Sequence, residues 1–177
     1  MLAVLVAIAC AHPPRAWPTP DGWRREIIPF PLDFAPTLAH RGVEELRFAP
    51  GFFDPHAGGY WSYAFVWRLD DAAPLAGDAL AAELTAYFRG LVAAVKKELA
   101  VDAIAVRATP AGDGFALTAH VLDAFGTGAP VDLTGTAIRR ACGDGALWVF
   151  ALAPATTRVR DQLTVLVDSA RCDSVRR

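Results

Sequence analysis

Asp54, His56 and Tyr60 lie close together in the turn-like stretch "DPHAGGY". An imidazole trades protons near neutral pH, a carboxylate orients or pairs it, and a phenol can donate to a developing oxyanion. With Asp54 or Glu44 as the acid, this group suits a small hydrolase or isomerase. An aspartate and a histidine two residues apart also suit one metal ion. Zinc, however, takes three or four protein ligands, and the remainder would have to come from His40, Glu44 or Glu45. No metal is therefore assigned. The chain has no GxSxG elbow, HExxH helix, GxGxxG turn or GxxxxGK[ST] loop, so no cofactor is assigned either.

A second set of candidates belongs to binding rather than catalysis. "GYWSYAFVWRLD", residues 60 to 71, places Trp61, Tyr63, Phe65, Trp67 and Leu69 on one face of a strand, and Ser62, Ala64, Val66 and Arg68 on the other. Indole and phenol groups want hydrogen-bond partners when buried. Trp61, Tyr63 and Trp67 in line thus mark either a core or the wall of a cavity. "ALWVFAL" adds Trp148 and Phe150 on one strand face. His120, Arg68 and Arg140 are the remaining ligand candidates, the arginines for an anionic group. A solvated sheet face is the plainer reading of these three.

Composition narrows the classes. The chain has 177 residues, a one-domain length, with 54% apolar residues and a formal net charge of −2. A near-neutral chain without a basic stripe gives no case for nucleic acid. Residues 2 to 9 are wholly apolar, too short to span a membrane as a helix. They resemble the apolar part of a secretory signal, which places the protein in the periplasm or another extracytoplasmic space. "AIAC" loosely resembles a lipoprotein cleavage box with Cys10 as a candidate lipid anchor. Residues 1 to 11 are read as the signal segment, 12 to 22 as a Pro-rich tether holding His12 and Trp17, and 23 to 177 as a single domain. Cys142 and Cys172 are left as either one disulfide or two small hydrophobes. The candidate partners are a small-molecule ligand, an envelope protein and a second copy of this chain as a homodimer.

The elements that must position these groups follow from periodicity. Strands are expected over 23–30 and 43–49, with Val43, Glu45 and Arg47 facing one way and Glu44, Leu46 and Phe48 the other. Residues 32 to 42 read as a short helix or a loop. Leu80, Leu84, Phe88, Leu91 and Val95 recur at helical steps, giving a long helix over about 76–98. Gly90 in its interior suggests a close approach to the sheet. Two hairpins follow, 102–109 with 114–123 and 132–141 with 145–152, each turned by an Asp-Gly signal. A C-terminal helix falls within 156–172, with a strand at 162–167 as its competitor. The class is α+β: an antiparallel sheet of five to seven strands with both helices packed on one face. The function expected is an exported binding or assembly module, with an aromatic-lined pocket for a small apolar or sugar-like ligand. The hydrolase or isomerase at residues 54–60 is the alternative.

Overall fold

The computed structural model describes residues 16–71, 74–96 and 98–175. The signal segment, Cys10 and His12 lie outside the described residues. The chain runs β1 (Arg24–Phe30), β2 (Gly42–Phe48), β3 (Tyr63–Leu69), α1 (Gly77–Val95), β4 (Ala105–Ala111), β5 (Gly114–Leu122), β6 (Pro130–Cys142), β7 (Gly145–Ala153) and α2 (Arg160–Ser169). Residues 32–41 form turns rather than a helix. The strands make one antiparallel sheet in the order β1-β2-β3-β7-β6-β5-β4. This is the expected α+β class.

The two hairpin turns follow from glycine in an unexpected way. Both loops are Gly-Asp, since Ala111 pairs with Gly114 and Cys142 with Gly145. Gly112 (φ 55°) and Gly143 (φ 64°) take the positive φ. That is the type II′ pattern, with glycine first. The glycine before each aspartate makes the bend, not the one after it.

The sheet is covered on both faces, and this departs from the expected placement of both helices on one. Alternation along β3 explains the result. Tyr63, Phe65 and Trp67 join α1 residues Leu84, Tyr87 and Phe88 in one core. Ala64 and Val66 join α2 residues Leu163, Leu166 and Val167 in another. β3 and β7 are central strands buried on both sides, so they read as continuous apolar runs. A one-sided sheet would have shown polar residues at alternate positions there.

α1 is fixed to the β4 edge. Its Thr85 Oγ1 accepts the Val106 amide at 3.1 Å, and Arg89 donates to the Ile104 carbonyl at 3.1 Å. The close approach at Gly90 is real but is not to the sheet. A Cβ there would run into the Phe34 carbonyl, so glycine lets the 32–41 segment lie on the helix. On the other face, Trp17 is buried and its indole donates to the Leu166 carbonyl at 2.9 Å. Cys142 and Cys172 form a disulfide, tying the segment after α2 to the β6–β7 hairpin. Among the described residues no helix is long and apolar enough to cross a membrane.

Candidate functional site

The aromatic run of β3 divides along its length. Toward the middle of the sheet, Phe65 stacks on Tyr87 of α1 (ring centroids 5.8 Å, 5°) and on Phe150 of β7 (4.4 Å, 14°). Trp67 is fully buried there, against Phe30 and Phe150. These rings are core. Each large buried ring contributes about 1.5–3 kcal/mol by leaving water. At the other end, Tyr63 and Trp61 face a cavity of about 180 Å3. α1 covers the β4–β5 half of this face closely, and the cavity is the gap left over β1–β3.

Besides Tyr63 of β3, its walls come from six parts of the chain. β1 gives Glu26 and Ile28, β2 gives Leu46 and Phe48, and α1 gives Tyr87 and Leu91. Phe34 arrives from the 32–41 segment that Gly90 admits. Phe52 and Trp61 come from the turn before β3, and Phe125 from the β5–β6 loop. The rings brace one another at steep angles: Phe52 stands at 81° to Tyr63, and Phe34 at 78° to Tyr87. Phe53 and Phe125 meet edge-on outside (5.3 Å, 82°), and both are exposed.

Trp61 is held in place by force. It has φ 45°, unlike any other described non-glycine residue. The left-handed region costs a residue with a Cβ about 1–2 kcal/mol. Its indole donates to Asp123 Oδ1 at 3.1 Å, while Asp123 Oδ2 accepts the Thr127 amide at 2.8 Å. Burial pushes the Asp123 carboxyl up. Hydrogen bonds from the Thr127 amide, Trp61 and Tyr60 more than offset it, and the net shift is downward. Burial and the same carboxylate raise the Tyr60 phenol to about 12. Asp123 thus joins the β5–β6 loop, with Phe125, to the turn that carries Trp61.

Glu44 lies behind the cavity. It is fully buried on the α1 face of β2, opposite Ile28 of β1 and Trp67 of β3. Oε1 accepts the Trp67 indole at 3.0 Å, and Oε2 has no hydrogen-bond partner. Burial raises its carboxyl to about 8, against the opposing pull of Trp67 and Tyr87 and with help from the Glu26 charge. At neutral pH it is a neutral acid. Burial also lifts Tyr63 and Tyr87 well above the usual phenol range, with Glu44 adding to both.

The other sequence candidates are scattered. Asp54 and His56 are exposed, and Asp54 Oδ1 accepts the His56 amide at 2.9 Å in a local turn. Glu44 is sealed in the interior while Asp54 and His56 face solvent, so these groups do not form one site. Among the described residues no group of three or more His, Cys, Asp or Glu side chains could hold a metal. His40 instead bridges Glu83 of α1 (2.9 Å) and Asp71 (3.3 Å). The Glu83 hydrogen bond raises its pKa despite burial, and Asp71 adds to this. His120 Nδ1 meets Asp132 at 2.7 Å on the open face of β5 and β6. Arg140 donates to the Val167 carbonyl at 3.2 Å on the α2 side. Arg68 lines a separate small cleft with Asp70 and Asp144.

Sequence reasoning named Trp61 and Tyr63 but missed Asp123, Phe34, Phe125 and Glu26. "DAFGTGA" holds the one available signal. An aspartate followed by two glycines and a threonine suits a side chain that caps its own loop. No protein-family model, no curated protein and no solved structure matches this chain.

Proposed function

We propose that the protein is an exported binding module whose aromatic cavity takes a small, largely apolar ligand. The observation that carries this reading is the cavity between α1 and β1–β3, with Trp61 strained into its wall. Strained residues cluster at ligand sites, where the surrounding structure holds them for use. A mostly apolar lining with few polar groups is also the usual make-up of small-molecule sites. At about 180 Å3 the space is below the roughly 300–1,000 Å3 of drug-sized sites, which favours a small occupant. The Cys142–Cys172 bridge supports export, since disulfides persist in oxidising compartments.

Titration with cyclohexanol, followed in an amide and indole proton–nitrogen spectrum, tests the reading. The Trp61 indole signal should move and that of Trp17, on the far face, should not. Leu91→Phe fills the cavity from the helix and should abolish the response while leaving the fold intact. An unmoved Trp61 signal, or an unchanged response in L91F, would sink the proposal.

A further inference from the structure

The cavity's chemistry points beyond "small and apolar". Among the described residues its only charged lining residue is a carboxylate, Glu26, and no lysine, arginine or histidine reaches the wall. The remaining walls are six phenylalanine or tyrosine rings and Trp61, set among three aliphatic side chains. Ring faces carry negative potential, and a cation near several of them is attracted by each. Phe52 stands at 81° to Tyr63 and Phe34 at 78° to Tyr87, while Phe48 stacks on Tyr63, so the rings surround the space on several sides and do not make one flat platform. A sugar ring stacks on a platform and needs many hydrogen-bond partners. This box offers few, because the Trp61 indole is already given to Asp123.

The negative field here is already felt by the protein's own groups. The Glu26 charge adds to the rise of the Tyr87 phenol and of the Glu44 carboxyl, which is itself neutral at neutral pH. A cation on the rim shows the same preference: the Arg24 guanidinium sits over the Phe53 ring at 5.2 Å, outside the cavity wall. From these observations we infer that the ligand is a small organic cation, a quaternary or methylated ammonium. Its methyl groups would fill the aromatic box, and its charge would face the Glu26 carboxylate. This rests on the binding reading above and names the chemical class of the occupant.

The test compares choline with 3,3-dimethyl-1-butanol, which has the same shape but a carbon in place of the charged nitrogen. Calorimetric titration of the full chain should show choline binding about tenfold or more tightly than the neutral alcohol. Glu26→Gln, at an exposed strand position, should cut the choline affinity a few-fold and leave the alcohol unchanged. Equal affinities, or a preference for the alcohol, would overturn the cation inference and leave the apolar binding site standing. Choline binding that survives in L91F would place the cation elsewhere and also overturn it. If neither compound binds, nor cyclohexanol, both readings fail together.

Discussion

Glu44 and Glu45 are neighbours on β2, both sealed from water, and they meet opposite surroundings. Glu45 faces the α2 side, where its Oε1 accepts from Arg25 at 2.8 Å and from Arg47 at 2.7 Å. Arg47 is itself fully buried. It also donates to the carbonyls of Trp17, Pro18 and Leu46, and its guanidinium lies over the Trp17 ring at 4.4 Å. Glu44 faces the α1 side with an indole as its hydrogen-bond partner and, among the described residues, no cation beside it. One face of the strand buries a carboxylate and pairs one of its oxygens with two arginines, the other oxygen having no hydrogen-bond partner. The other buries the same side chain by leaving it protonated. The ionic face clamps the incoming segment at residues 17–18 onto the sheet. The neutral face keeps an aromatic chamber free of positive charge.

This contrast can be broken at several points. The largest effect should come from Glu45→Gln, which strands Arg47 in the interior without its carboxylate. Losing one partner of a buried pair costs about 3–5 kcal/mol, readable by urea unfolding, and a loss under about 1 kcal/mol would show the clamp to be ornamental. Next, Cys142→Ser with Cys172→Ser removes a bridge spanning 30 residues of chain from the same face. A cost of about 2–4 kcal/mol is expected, and a reduced protein as stable as the oxidised one would contradict it.

On the other face the effect depends on pH. Folded Glu44 holds a proton that the unfolded chain releases above its ordinary value of 4.5. The unfolded state therefore binds fewer protons, and stability should fall as pH rises from about 4.5 to about 8, by up to about 1.4 kcal/mol per unit. Glu44→Gln mimics the neutral acid and should remove that slope, gaining stability at pH 8 and little at pH 4. An unchanged slope would mean that Glu44 is ionised in the fold. The smallest change should come from His40→Asn. With its pKa raised, His40 adds stability that is full below 6.5 and fades as pH climbs through the folded value. We expect less than about 1 kcal/mol, visible in thermal unfolding at pH 5.5 but not at pH 8.5.

Much of this architecture was legible from periodicity. The alternation of Val43, Glu44, Glu45, Leu46 and Arg47 already separated the two glutamates onto opposite faces, and the helical spacing of Leu80, Leu84 and Phe88 placed α1 within a few residues. What periodicity could not supply was the second cover. Ala64 and Val66 are too small to announce a core, yet α2 and Trp17 build one on them. The strand period leaves Trp61, Tyr63 and Trp67 as either core or the wall of a cavity. The aromatic line is both, because Tyr87 of α1 packs on Phe65 and Trp67 while Tyr63 and Trp61 line the cavity beside them. That depends on where the helix lies across the strands, which no single-strand pattern encodes. Asp123 and Phe125 escaped for a similar reason: they come to Trp61 from a loop sixty residues away in sequence.

The Trp17 amide donates to the Ser174 carbonyl at 2.8 Å, so the two described ends of the chain leave side by side. Both leave from the α2 side of the sheet, while the cavity opens over β1–β3 on the α1 side. A linker, label or solid support joined at either described end would therefore hold the protein with its chamber turned outward. Trp17 and Ser174 are close enough that joining the chain there and reopening it at an exposed hairpin tip is a practical way to move the attachment point.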